Sequence, residues 1–524
     1  MTVADLLRGR AASDEPALLF EDRRWSYRQL TEEAARRASL FASLRDGDRP
    51  PHVGVLLDNG PDHLFWLAAA ALSGSVVVGI NSTYRGDQLG QLVRHTDCQV
   101  LVTSSEQARL LDGVETGVPA ERVLLVEDGA HRDHPADLPD VPVTDDDLFL
   151  LIFTSGSTGL PKAVRCTQGR FARTGAHVAA LADLQPGRDA VYAPLPFFHS
   201  SALFTGWSSA INGGVPIATR ARFSASGTLP DIRRHGVTVL AYTGKVLSYV
   251  LSTPEQPDDA DSPLRLAIGN EASVRDIREF ARRYGCDVRD SYGSTEGIIV
   301  IRRDPSMPDG ALGRPTEPSV LVLDPETGEE CAPGVVGEIV ETKPTSGFEG
   351  YYNNDEATQT RFRDGRYWSG DLAYRDEDGW LFFAGRSNEW LRVDSENFAV
   401  APIEAIIGRH PDVRSVAVYA VPDDPVGDRV MAALELVAGT AFDPAAFDAF
   451  LDEQPDLGTK WRPAFVRVTD DLPKLASMKI DKQRLRAEAW KAGDVHWRQA
   501  KGAPLRPLTD EDRTTLDPLL AGPR

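Results

Sequence analysis

The chain has 524 residues, and 57 Lys and Arg against 78 Asp and Glu leave a formal charge of −21. That length allows two to four structural units around a large core, and 42% hydrophobic with 26% charged residues is the balance of a soluble globular protein. The negative charge argues against nucleic acid or an anionic membrane surface as the main partner, so an anionic ligand needs local positive groups.

Four cysteines (Cys98, Cys166, Cys286 and Cys331) stand far apart with no C-x-x-C pair. They fit a reducing compartment, and neither a disulfide framework nor a zinc ribbon. Residues 1–10 lack the apolar core of a signal peptide. The most apolar window, 64–80, is too short for a spanning helix and is broken by Ser73, Gly74 and Ser75. A cytoplasmic protein without a membrane span is expected.

In chain order, the pattern predicts a strand at 53–57, a helix at 62–72, a strand at 76–80, a helix at 88–95 and a strand at 100–103. An acidic, Pro-containing surface loop follows at 127–147, then an apolar strand at 148–153. Further on, a helix is expected at 277–284 and a strand at 320–323. Strand–helix alternation of this kind argues for parallel α/β layers. Short strands between Gly-Glu and Pro-Gly turns at 318–340 suggest a β-rich subdomain, and 502–524 reads as a polar tail. Phe197, Phe198, Phe204 and Trp207 suit a core better than a pocket wall.

Four motifs are candidates for chemistry, although taken singly the second also reads as a Gly-rich turn, the third as an ordinary β-turn Asp and the fourth as a solvated Lys. Thr154, Ser155, Gly156, Ser157, Thr158, Gly159, Leu160, Pro161 and Lys162 follow the 148–153 strand directly. Packed hydroxyls and glycines let backbone N–H groups approach phosphate oxygens, and Lys162 adds a point charge. The pattern is neither a Walker A loop nor a G-x-G-x-x-G fingerprint. The second motif, Tyr292-Gly293-Ser294-Thr295-Glu296-Gly297, offers a stacking ring and a carboxylate suited to Mg²⁺ beside a phosphate. A nucleophile elbow would need Ser where Thr295 stands. In the third, Trp368-Ser369-Gly370-Asp371, the Asp after a Gly turn suits a ribose diol. The fourth is Leu472-Pro473-Lys474-Leu475-Ala476-Ser477-Met478-Lys479-Ile480, close to the C-terminus.

In this order and at these distances the four motifs resemble the AMP-forming adenylating superfamily of acyl-CoA synthetases, adenylation domains and luciferases, across nearly the whole chain. Ile80-Asn81 with 84–89, Tyr242-Thr243-Gly244-Lys245 and 266–270 resemble the very-long-chain acyl-CoA synthetase and fatty-acid-transport-protein branch. The resemblance implies an α/β fold: a large N-terminal domain, 1–385, of two α/β lobes and a β-rich subdomain, with a small mobile α+β domain, 386–524, hinged at 386–388. ATP and the acid are expected in the cleft between the two domains.

The same resemblance implies the roles. The 154–162 loop would hold the β- and γ-phosphates. Tyr292 and Gly293 would lie at adenine beside Gly269, Asn270 and Glu271. Thr295 would touch the α-phosphate, and Glu296 would carry Mg²⁺. Asp371 would bind the ribose with Arg386 close by, and Lys479 would bridge the carboxylate and α-phosphate. His199 and Tyr242 would lie at the acid pocket. Ser395 and Glu396 would line the acceptor channel.

The implied reaction uses ATP and Mg²⁺ to activate a small-molecule acid as an acyl-adenylate, most simply followed by transfer to CoA from a fatty or aromatic acid. Three departures from the family pattern stand out: Asn388 at the hinge, Ser395 where Gly is usual, and Met478 where Gly commonly precedes the lysine. Ser395 takes up room that glycine leaves for a ligand. It keeps open a second reading, an amine acceptor or nitrite activation for diazo formation. A non-catalytic nucleotide-binding protein is the third.

Overall fold

A computed structural model describes residues 1–154, 161–303, 307–308, 310–344, 347–386, 390–393, 396–422, 428–455, 457–458, 460–475, 478–500 and 502–521. The chain forms two compact units that do not follow its order linearly. The first holds Met1–Arg303, Lys343–Tyr367 and Ala476–Met478; the second holds Asp304–Thr342, Trp368–Leu475 and Lys479–Arg524.

In the first unit, among the described residues, one sheet contains Val123–Leu125, Val100–Thr103, His52–Leu56, Val76–Gly79, Leu148–Thr154 and Lys162–Thr167 in that spatial order. Its neighbours are parallel except the last pair, which is antiparallel. The second sheet has a parallel centre too, running from Pro16–Phe20 through Ile217–Thr219, Val191–Tyr192, Val239–Thr243 and Leu266–Asn270 to Asp287–Tyr292. Parallel strands covered on both faces must be apolar along their whole length. His52–Leu56 and Val76–Gly79 are buried at every position.

The predicted helix at 62–72 is Pro61–Ser73, started by Pro61 and ended by Gly74 at φ +65°. Helices also form at Gly86–His95 and Val274–Tyr284, and the 127–147 stretch holds only short 3₁₀ turns. Phe197, Phe198 and Trp207 are buried in the core and Phe204 packs against it. All four cysteines are free and buried.

In the second unit, Ala311–Gly313, Leu381–Arg386, Arg366–Arg375, Gly337–Glu341 and Val320–Leu323 form the expected β-rich layer. A separate sheet is built from Val413–Pro422, Asp428–Leu436, Phe465–Thr469, Asp494–Trp497 and Arg506–Pro507. The 502–524 stretch is more than a polar tail. Thr509 and Asp512 form a capping box on the helix Asp510–Leu516, and Leu516 is buried. Among the described residues no helix is long and apolar enough to cross a membrane.

Candidate active site

Within the first unit, three parallel strands deliver the residues expected at adenine. Tyr242 is in register with Gly269, Thr243 with Asn270, and Asn270 with Ser291, so Gly269, Asn270 and Tyr292 lie at neighbouring carboxyl ends. Ligands of open α/β sheets bind at such ends. Asn270 Nδ2 donates to the Ser291 carbonyl at 3.1 Å and to its hydroxyl at 2.9 Å, joining the turn to the strand that ends at Tyr292. Glu271 leaves this strand at φ +66°, a left-handed conformation uncommon outside glycine. Gly269 is required by close approach: a Cβ there would lie 2.8 Å from the Tyr242 carbonyl carbon and would overlap its oxygen.

Tyr242 is fully buried, and its hydroxyl donates to Asp290 Oδ2 at 2.7 Å. The same oxygen accepts from the Ala272 N–H at 3.0 Å, and Arg303 Nε stands 3.2 Å from Oδ1. Burial outweighs that guanidinium and pushes the Asp290 carboxyl up to about 6. The Tyr242 hydroxyl thus ties its strand to the turn after Asn270.

The residues expected at the phosphates lie at the edge of the other sheet. Thr154 and Lys162 face each other in the antiparallel pair, bracketing residues 155–160; Ser155, Gly156, Ser157, Thr158 and Gly159 lie outside the described residues. Partial burial, with Arg361 nearby, holds the Lys162 ammonium below its ordinary pKa, while Glu296 pulls it back up.

The Thr295–Glu296 turn is held from three directions. Arg170, on the helix Gln168–Leu181, donates to the Arg165 carbonyl at 2.8 Å and to the Thr295 carbonyl. Ser200 Oγ lies 3.0 Å from Thr295 Oγ1. Tyr351 donates its hydroxyl to Glu296 Oε1 at 2.7 Å, and its ring lies 5.3 Å from Lys162 Nζ. Glu296 is buried, and a single hard carboxylate near Lys162 would suit Mg²⁺, which commonly takes its other ligands from phosphates and water. Among the described residues no three His, Cys, Asp or Glu side chains cluster as a metal cage.

His199 follows Phe198, its ring 4.6 Å from that of Phe198, and leads into the π-helical stretch Ser201–Ser208. Asn59 fixes this segment like a strand partner. It donates to the Leu195 carbonyl at 2.7 Å and to Thr219 Oγ1 at 3.2 Å, and accepts from the Phe197 N–H at 2.9 Å. A Cβ on Gly79 would lie 2.9 Å from Phe198 Cα, so the segment packs directly onto the strand backbone.

In the second unit, Asp371 is buried with its N–H on Ser369 Oγ at 3.1 Å, while Gly370 donates to buried Glu338 at 2.6 Å. The Asp371 backbone is paired with that of Arg386, the last residue of its strand. Glu396 begins the strand Glu396–Ala399, while Ser395 and Asn388 lie outside the described residues. The Lys479 carbonyl accepts from Leu475 N at 2.8 Å, and Met478, which belongs to the first unit, sits at φ +64°. That left-handed value explains why glycine is usual at this place. Arg170, Ser200, Asn59 and Tyr351 were not anticipated from the sequence. Only the Tyr351 neighbourhood carried a signal, an aromatic directly after Gly350 and before the helix Asp355–Arg361.

Residues 8–352 match the model of the AMP-binding enzyme family, and 402–479 match its C-terminal domain. The chain belongs to the AMP-binding enzyme family. It is an AMP-forming acid ligase of the acyl-CoA synthetase type. It is 42% identical to a steroid-22-oyl-CoA synthetase of Rhodococcus jostii, over 98% of this chain and 96% of the relative. It is 46% identical to a medium/long-chain-fatty-acid–CoA ligase of Mycobacterium tuberculosis, over 95% and 98%. Among solved structures, o-succinylbenzoate coenzyme A synthetase from Bacillus subtilis in complex with AMP superposes with a TM-score of 0.76 at 26% identity, covering 93% of this chain and 98% of that one. An anthranilate CoA ligase in complex with anthranoyl-AMP shares the fold, with a TM-score of 0.81 at 22% identity and coverage of 93% and 97%.

Proposed function

We propose that this ligase uses ATP to activate a carboxylic acid with a large apolar body, a fatty or steroid side-chain acid, and transfers the acyl group to CoA. The observation that carries the reading is the convergence of Lys162, Thr295 and Glu296 through Arg170, Ser200 and Tyr351. The names of the two relatives support an apolar acid. They do not single out the very-long-chain and transport-protein branch expected from 80–81, 84–89, 242–245 and 266–270.

The barrier to adenylation is charge repulsion between a carboxylate and ATP. Lys162 places positive charge where it develops, Glu296 would hold Mg²⁺, and Mg²⁺ when bound neutralises phosphate charge. Tyr292 and the Gly269–Asn270–Glu271 turn would hold adenine, with Gly293 beside them. Thr154 and the loop through Gly159 would hold phosphates. Asp371 and Arg386 would serve the ribose, His199 the acid pocket, and Lys479 the carboxylate and α-phosphate. Residues 386–524 would move as the C-terminal domain about 386–388, with Ser395 and Glu396 at the acceptor channel. The C-terminal family match at 402–479 supports that division.

The test is pyrophosphate release from ATP with medium-chain, long-chain, aromatic and steroid side-chain acids and with nitrite, each with and without CoA or an amine. CoA-dependent thioester formation from an apolar acid is expected. Release that ignores CoA but responds to an amine overturns the acceptor, and Ser395→Gly raising CoA turnover would then locate the block. Lys479→Ala should cut adenylation by about 10²–10³ with the fold retained, the loss typical of one preorganised charge partner; full turnover in that variant overturns its role.

A further inference from the structure

We infer that Tyr351 is a positioning residue of the adenylation site, tying the carboxylate of Glu296 to the ammonium of Lys162 through the two ends of one side chain. The inference rests on the roles proposed above for those two residues. It begins in the backbone. The 347–352 segment lies along the outer side of Lys162–Thr167: Arg165 N–H donates to the Gly350 carbonyl at 3.1 Å and Tyr352 N–H to the Ala163 carbonyl at 2.8 Å. Val164 and Tyr351 form a single antiparallel bridge. Glu349 clasps the far end of the same strand, accepting from the Thr167 N–H and hydroxyl at 2.7 Å each. The helix Asp355–Arg361 returns a fourth tie, as Thr358 Oγ1 accepts from the Tyr351 N–H at 2.9 Å.

With its main chain held this way, the Tyr351 side chain has little choice of direction. It is 3% exposed, with Phe348 edge-on at 4.9 Å. Its hydroxyl occupies one oxygen of Glu296 at 2.7 Å, which limits rotation of that carboxylate. The negative face of its ring lies 5.3 Å from Lys162 Nζ, a cation–π contact that holds the ammonium at the start of the strand. Partners that orient a metal-binding carboxylate commonly change metal affinity by about 10–100-fold when lost.

The two functions separate by substitution. Tyr351→Phe keeps the ring under Lys162 and removes the donor to Glu296; Tyr351→Leu removes both. Calorimetry of ATP binding without acid, in Mg²⁺ and in EDTA, reads them independently of turnover. Mg²⁺ is expected to tighten ATP binding to the wild type, and Tyr351→Phe to shrink that gain about tenfold while leaving the EDTA affinity within about twofold. Tyr351→Leu should also weaken ATP binding in EDTA. In a Glu296→Gln background, Tyr351→Phe should add nothing. An unaltered Mg²⁺ gain in Tyr351→Phe, or additive losses in the double variant, overturns the inference. If Glu296→Gln itself leaves the Mg²⁺ gain intact, the role proposed for Glu296 has failed, and the inference with it.

Discussion

Replacing Asn59 by Ala removes the bracket that holds the segment leading to His199. Three hydrogen bonds are lost, at 2.7, 2.9 and 3.2 Å. The Thr219 hydroxyl keeps its bond to the Ala193 carbonyl at 2.8 Å, but the Leu195 carbonyl and Phe197 N–H lose this partner in buried surroundings. Each buried main-chain group left unsatisfied costs about 1–3 kcal/mol, so for the two groups about 2–6 kcal/mol of local stability should go. Asn59→Asp retains only the acceptor toward Phe197 and sets a carboxylate against the Leu195 carbonyl, so it should be no milder. Small displacements of positioned groups can cost about 10²-fold in rate. The expected result is kcat/KM for the acid down by about 10–100-fold and KM for ATP changed by less than about threefold. Amide exchange at Phe197 should accelerate by at least about 30-fold, corresponding to about 2 kcal/mol. Wild-type protection of the Phe197 amide, or an ATP KM that moves as far as the acid KM, would refute the reasoning.

The Asp290 carboxyl is raised from an ordinary 3.8 to about 6, so its folded form holds a proton more tightly than its unfolded form. Stability from this group is full below pH 4 and lost as pH rises through about 6, a loss of about 3 kcal/mol. Asp290→Asn should therefore gain on the wild type in urea midpoint between pH 4 and pH 7; a difference constant with pH refutes the shift. Gly269→Ala should be strongly damaging, because its Cβ meets Tyr242 backbone, whereas Gly293→Ala meets nothing closer than 3.8 Å and should fold normally. Equal thermal midpoints for the two variants would show that the turn relaxes. Met478→Gly should leave stability within about 1 kcal/mol, since relief of the left-handed backbone is offset by added freedom in the unfolded chain. A larger loss in thermal unfolding would show that the Met478 side chain matters more than its backbone.

Motifs whose chemistry sits in consecutive residues could be read without coordinates. The run from Thr154 to Lys162 and the pair Thr295–Glu296 point to the proposed phosphate and metal roles because hydroxyls, glycines and a charge fall within a few residues. The α/β layering was equally readable, since short β-branched runs such as Val100–Thr103 stand between helical periods. What holds these motifs together was not readable. Tyr351 reaches Glu296 across 55 residues, Arg170 reaches Thr295 across 125, and Asn59 reaches Phe197 across 138. Spacing encodes which residues share a local turn or face, whereas partners this distant are chosen by strand order and by which backbone edge a returning segment covers. Tyr242 shows the same limit: the resemblance implied a place at the acid pocket, and the bond from its hydroxyl to Asp290 could be seen only in the register of three parallel strands.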